Sequence, residues 1–156
     1  MEINSNTNGI RELTQAFERY PDVFTRHMKL ALNQNLREVQ VEAKQNHRFI
    51  SRNGNLEKAI VTKDADNSLS GGVYLDLGIS RYANWVHEGT RPHQITPVNR
   101  KSLRWATGGG FKFAKKVMHP GTKPDQFVYQ ALERKESSIM QRYGDALNKA
   151  RLEVGL

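Results

Sequence analysis

The sequence predicts an α+β fold, a small antiparallel sheet packed against a long N-terminal helix and a C-terminal helix. Three observations predict it. Apolar residues recur at three- and four-residue steps near both ends of the chain. Short alternating segments fill the middle, separated by Gly, Asn and Asp. The resulting order of helix, strands, helix matches helices laid on one side of a sheet.

Residues 1–9 are polar and Asn-rich and read as a flexible arm, with residues 10–156 as one domain. Ile10, Leu13 and Phe17 predict a short amphipathic helix ending near Arg19. Pro21 fits the first turn of a second helix, because a first-turn residue needs no N–H. That helix runs from about Asp22 to His47, with Val23, Phe24, Met28, Ala31, Leu32, Leu36, Val39 and Ala43 as its stripe. At about 1.5 Å per residue it is roughly 40 Å long. Asn33, Gln34, Asn35, Arg37, Glu38 and Gln40 read as its polar surface.

Asn53-Gly54-Asn55 is a turn. Leu56 to Lys63 then predicts a strand with Leu56, Lys58, Ile60 and Thr62 on one side, and Val73 to Leu77 a second. Arg81 to His87 reads as one or two helical turns. Ser102–Thr107 and Phe111–Val117, joined by Gly108-Gly109-Gly110, predict a hairpin. Its alternation places Leu103 with Trp105, and Phe111 with Phe113, on inward faces, leaving Lys112 and Lys116 on a basic outer face; Lys115 has the parity of the Phe residues. Asp125 is placed to cap a last helix whose stripe is Val128, Leu132, Ile139, Tyr143, Ala146, Leu147 and Ala150. Leu36, Val39, Leu75, Leu77 and Leu132 are expected in one core.

Two nine-residue pieces stand out. His87-Glu88-Gly89-Thr90-Arg91-Pro92-His93-Gln94-Ile95 and His119-Pro120-Gly121-Thr122-Lys123-Pro124-Asp125-Gln126-Phe127 share His, Gly, Thr, Pro and Gln at the same offsets. Each reads as a stiff loop. Gly supplies a turn conformation with φ above zero, Thr bonds its own backbone, and Pro holds the basic residue before it extended. The two loops are expected to lie close together and to take part in contacts between subunits, because stiff loops lose little entropy on docking.

The net charge of +8 is confined to one region: Arg81 to Lys123 holds nine basic residues against a single acid, Glu88, and the remainder balances. Such a patch favours an acidic partner, either nucleic acid or protein. The chain has no cysteine, which excludes disulfides and thiolate chemistry. Its N-terminus is polar, so no secretory signal is expected, and no apolar run reaches the ~18 residues of a membrane span.

No enzymatic set emerges. His87, Glu88, His93 and His119 were the candidates for a zinc site, but their spacing matches no ligand signature. No nucleophile elbow is present, and Gly108-Gly109-Gly110 lacks the Lys-Ser/Thr of a phosphate loop. The two loop histidines are expected to bond turn carbonyls. No metal, cofactor or catalysis is expected. Trp105, Phe111 and Phe113 interleaved with Arg104, Lys112, Lys115 and Lys116 leave a nucleic-acid-binding domain using residues 100–117 as the rival reading, and a metal-dependent hydrolase as a more distant one.

Three segments resemble the tail-completion and minor tail proteins of tailed phages. Asn53-Gly54-Asn55-Leu56-Glu57-Lys58-Ala59-Ile60 resembles their "TGNLRRSI" segment, and Tyr82-Ala83-Asn84-Trp85-Val86-His87-Glu88-Gly89-Thr90 their "YAxxVExGT" signature. His119 to Phe127 with Ala131 is similar to their "HPGTKPxPFLxxA" element. Order and spacing agree over about residues 50–135. Departures are His87 where many relatives carry Glu, Glu88 where many carry an aromatic, Asn53 for Thr and Gln126 for the second Pro. The nearest type is the minor tail protein Z kind of lambda-like long-tailed phages. The resemblance implies a structural virion protein of the neck, assembled in the host cytoplasm. It implies a homo-oligomeric, hexameric ring around the channel for genomic DNA. The ring would contact the tail tube protein and the head-completion (adaptor or stopper) proteins, with no membrane involved. Interaction residues are then sought in the loops, at Gly89, Thr90, Arg91, Pro92, Gly121, Thr122, Lys123 and Pro124, and on the hairpin, at Lys112, Lys115 and Lys116.

Overall fold

A computed structural model describes residues 7–156. In chain order it holds α1 (Thr7–Gln45), α2 (Asn55–Ala59), β1 (Ile60–Lys63), β2 (Gly72–Leu75), α3 (Ala83–His87), β3 (His93–Ile95), β4 (Leu103–Thr107), β5 (Gly110–Ala114), β6 (Val117–His119) and α4 (Phe127–Val154). The architecture is α+β, as the periodicities predict. The strands form three separate antiparallel pairs, β1–β2, β3–β6 and β4–β5, instead of one sheet.

The two N-terminal helices of the sequence reading are one. α1 runs through Pro21 for 39 residues, about 58 Å at 1.5 Å per residue. An interior proline removes one helical hydrogen bond and costs about 3 kcal/mol. Packing on both sides of it holds the helix continuous: Ala16 and Val23 are buried with Ala150 and Val154 of α4. The helix also begins earlier than expected, since residues 7–9, assigned to the arm, are helical. Residues 1–6 of that arm lie outside the described residues.

α4 runs antiparallel to α1, and small residues set their seam. Ala43 and Ala131, and further along Ala16 and Ala150, are buried where the helices meet. The buried set on α4 is Phe127, Ala131, Ala146, Ala150 and Val154, so Leu132 and Leu147 of the expected stripe are exposed. Ion pairs flank the seam. Glu42 meets Arg134 and Lys135, both at 3.3 Å, Glu38 meets Arg142 at 2.6 Å, and Glu153 meets Arg26 and His27.

The polar residues of α1 do more than face solvent. Asn33 Oδ1 accepts the Ala65 N–H at 2.6 Å, and Gln40 Nε2 donates to the Ile60 carbonyl at 2.7 Å. Asn35 is buried and bonded to Arg142. These side chains tie β1 and α4 to the long helix.

The strand expected from Leu56 divides. Gly54, at φ 71°, reverses the chain, and Asn53 Oδ1 accepts the Asn55 N–H, so residues 55–59 wind into α2. Leu56 and Ala59, three apart, are buried on one face of it against Ala83. Alternation across Leu56, Lys58 and Ile60 fits a strand equally well, and burial at spacing three decides the matter. β2 stops at Leu75, because Asp76 accepts the N–H of Gly78 and turns the chain; Leu77 is exposed beyond it. The expected five-residue core is therefore reduced. Val39 is central, Leu75 packs on it part-buried, Leu36 is part-buried, and Leu77 and Leu132 fall outside.

Phe127 is the largest fully buried side chain, at 0% exposure, between Val39, Ala43, Ile60 and Ala131. Phe127→Ala should destabilise the protein by about 3–5 kcal/mol in denaturant unfolding, and Leu75→Ala by less than the full 2–5 kcal/mol, roughly, of a buried leucine. Acid should loosen the helix seam. Burial pushes the Glu42 carboxyl up, but Lys135, Arg134 and Asn46 outweigh it and hold it below its usual 4.5. Arg26 and His27 do the same for Glu153, also from 4.5. Carboxyls depressed in the folded state contribute fully above their unfolded value and lose that contribution as pH falls. Thermal midpoints followed by circular dichroism should fall as pH drops below about 4.5, and Glu42→Gln should flatten part of that fall.

Candidate functional site: two interlocked loops beside a basic hairpin

The two repeated loops lie against each other. Thr90 and Thr122 form an antiparallel bridge, with the Thr90 N–H donating to the Thr122 carbonyl at 2.9 Å and the Thr122 N–H to the Thr90 carbonyl at 3.1 Å. Thr90 Oγ1 also accepts the Thr122 N–H at 3.0 Å. On one side of the bridge β3 pairs with β6, His93 opposite His119 and Ile95 opposite Val117. On the other side the Asp125 N–H donates to the Val86 carbonyl at 3.0 Å. At the crossing the repeat in sequence is thus an approximate two-fold in space, with the Thr pair at its centre; beyond it the copies differ, His87 ending a helix and His119 a strand.

The glycines are required twice over. Gly89 and Gly121 have φ of 74° and 90°, a region costly for any residue with a Cβ. A Cβ on Gly89 would lie 2.6 Å from the Thr122 carbonyl oxygen, and one on Gly121 would collide with that of Thr90. Each glycine therefore leaves room for the backbone of the opposite loop. The repeat in sequence predicts the positive φ, and the crossing adds the collision. Arg91, Pro92, Lys123 and Pro124 leave the crossing exposed, as does Thr122, while Gly89, Thr90 and Gly121 are part-buried.

The histidines support the loops by different bonds from those expected. His119 Nδ1 accepts the N–H of Gly121 at 3.1 Å, a turn N–H and not a carbonyl. His87 is buried, 6% exposed, edge-on to Phe127, with Nδ1 2.7 Å from Glu88 Oε1. His93 is the one that bonds a turn carbonyl, that of Arg91 at 2.9 Å. Among the described residues no group of three His, Asp or Glu side chains is placed to hold a metal.

Asp125 does not cap α4. The N-cap position is Gln126, which makes no capping bond. Asp125 is buried and its Oδ2 accepts the N–H groups of Arg48 and Phe49, at 2.7 and 2.8 Å. The Arg48 guanidinium adds bonds to Asp125 Oδ1 and to the Pro124 carbonyl. The second loop is thereby anchored to the chain just after α1. A cleft of about 330 Å³ between Arg48, Phe49, Val86 and Thr122–Asp125 runs beside this anchor. Only tertiary contact reveals this role, since Asp two residues ahead of a helix reads first as a cap.

The hairpin differs most from expectation. β4 and β5 pair with Trp105 opposite Lys112 and Arg104 opposite Phe113. Directly opposed residues share a face, so Leu103, Trp105 and Lys112 lie on one side and Arg104, Phe111 and Phe113 on the other. Neither face is apolar and neither is purely basic. Trp105, Phe111 and Phe113 are 39%, 56% and 64% exposed, and none joins a core cluster. Expected to be core, these rings are surface. Arg104 lies 3.6 Å from the centre of the Phe111 ring, a cation–π contact. β5 ends at Ala114, and Val117 belongs to β6, so the hairpin is joined directly to the crossed loops. Lys112, Lys115 and Lys116 are all exposed.

Gly121→Ala should lower stability by more than the roughly 1–2 kcal/mol of backbone strain alone, because its methyl collides with the Thr90 carbonyl oxygen. Denaturant unfolding of Gly121→Ala beside Gly108→Ala, where a Cβ meets nothing within 4 Å, checks this. Equal stability of the two variants would remove the crossing as a constraint.

No family model matches the chain, no curated protein matches it, and no solved structure matches its fold.

Proposed function

We propose that this chain is a tail-completion protein of the phage neck, a structural ring subunit that closes the tail end and joins it to the head. The observation that carries the reading is the pairing of the two segments that resemble the family's signatures. They lie 32 residues apart in sequence at Thr90 and Thr122, and they meet as one stiff, two-fold unit. Its exits, Arg91-Pro92 and Lys123-Pro124, are exposed and rigid, which suits a contact surface. Exposed apolar side chains elsewhere fit a subunit that finishes its packing on neighbours. Ile10, Leu13 and Phe17 lie bare along the first turns of α1, and Trp85 and Met118 are bare near the loops. Among the described residues no helix is long and apolar enough to cross a membrane.

In this reading the crossed loops meet neighbouring subunits, the tail tube or the head-completion proteins, and the basic hairpin turns its excess charge toward acidic surface or the DNA channel. A phage lacking the protein should yield filled heads beside free, unjoined tails in negative-stain images. Lys112→Glu with Lys116→Glu should leave thermal unfolding unchanged, since the hairpin contributes no residue to the core clusters. The same double variant should restore few joined particles, with the loss greatest at low salt, where charge is least screened. Normal head–tail joining without the protein would overturn the reading.

A further inference from the structure

The β4–β5 hairpin carries more than the charge that the neck reading uses, namely exposed aromatic rings. Arg100, Lys101, Arg104, Lys112, Lys115 and Lys116 lie in or beside it, and no acidic residue occurs between Glu88 and Asp125. Among the described residues none of these six is ion-paired. Elsewhere the same protein pairs Arg26, Arg134 and Arg142 with carboxylates. Between the unpaired cations stand three aromatic rings, on both faces of the ribbon, that join none of the core clusters.

We infer that the hairpin is a binding site for single-stranded nucleic acid, which places phosphates on the cations and stacks bases on Trp105 and Phe113. Three points favour this occupant. The charge is of one sign and uncompensated, complementary to a polyanion. Protein-binding surfaces are depleted in Lys where their aromatics sit, whereas here Lys112 lies directly opposite Trp105. Bare rings gain from the exposed face of an unstacked base, which a duplex does not offer. Arg104 already covers Phe111 at 3.6 Å, which leaves Trp105 on one face and Phe113 on the other as the open platforms. Each face then holds one open ring and at least one cation, enough for one base and its phosphate.

The test uses the full chain with Trp85→Phe, so that Trp105 is the sole tryptophan. Trp85 is 62% exposed, so the change removes no buried contact of the core. Titration with a 20-nucleotide oligodeoxythymidylate should quench Trp105 emission. The logarithm of affinity should fall with the logarithm of salt concentration by about 0.7 for each phosphate held. Trp105→Ala should weaken binding of the labelled oligonucleotide by about tenfold or more in anisotropy, with thermal unfolding unchanged. Heparin, a polyanion without bases, and a duplex of the same length serve as controls. Absence of binding at low salt overturns the inference. So does binding of heparin or duplex as tight as that of the single strand, with Trp105→Ala indistinguishable from the parent; that outcome assigns the surface to an acidic protein or to duplex phosphate alone. None of these results bears on whether heads and tails join, so this site and the neck function stand or fall separately.

Discussion

One buried carboxylate connects the parts of this molecule. Asp125 accepts the backbone N–H groups of Arg48 and Phe49, so the end of the α1 segment is fixed to the residue two places before α4. Its own N–H reaches back to Val86, at the end of α3. A carboxylate taken from water needs strong donors in return, and two amides with the Arg48 guanidinium supply them. Three segments distant in sequence thus meet at one residue, through its side chain and its backbone N–H. With Asp125 in place, Phe127 enters the core, α4 starts in register with α1, and the second loop is held where it can cross the first.

The seam of α1 and α4 shows how a modest apolar content suffices. Its buried positions are largely alanine and valine, which bury little area each but let two helices approach closely. Polar side chains then complete the contact: Gln40 satisfies a carbonyl of β1, Asn33 an N–H of the loop that follows it, and Arg142 reaches Asn35 and Glu38. The low mean hydropathy of −0.70 reflects this arrangement, together with the apolar side chains left at the surface.

The helices, the hairpin and the repeated loops were legible because each is encoded locally, by period, by a glycine turn or by a matched set of residues. Four features were not. Pro21 marks a helix start by local rules, and only the partner surface around Ala150 and Val154 carries the helix through it. Leu56, Lys58 and Ile60 alternate like a strand, and only Ala83 packed against Leu56 and Ala59 shows that spacing three is the buried one. The aromatic hairpin alternates correctly, yet alternation reports two faces without saying whether anything covers either. Asp125 failed for the converse reason: its local role as a cap was plausible, and a partner 77 residues away claimed it instead. In the candidate site, the loop glycines and their pairing could be anticipated from the repeat, whereas the exposure of Trp105, Phe111 and Phe113 could not.

The crossing at Thr90 and Thr122 has a dynamic consequence. Each threonine amide is held by the carbonyl of the other, so neither can be released to solvent while its counterpart stays closed. The two loops therefore open as one event with one free energy, although 32 residues separate them at the Thr pair. The Thr90 and Thr122 amide protons should exchange with deuterium at a shared protection level. A repeat that looks like two copies of a turn behaves as a single cooperative latch.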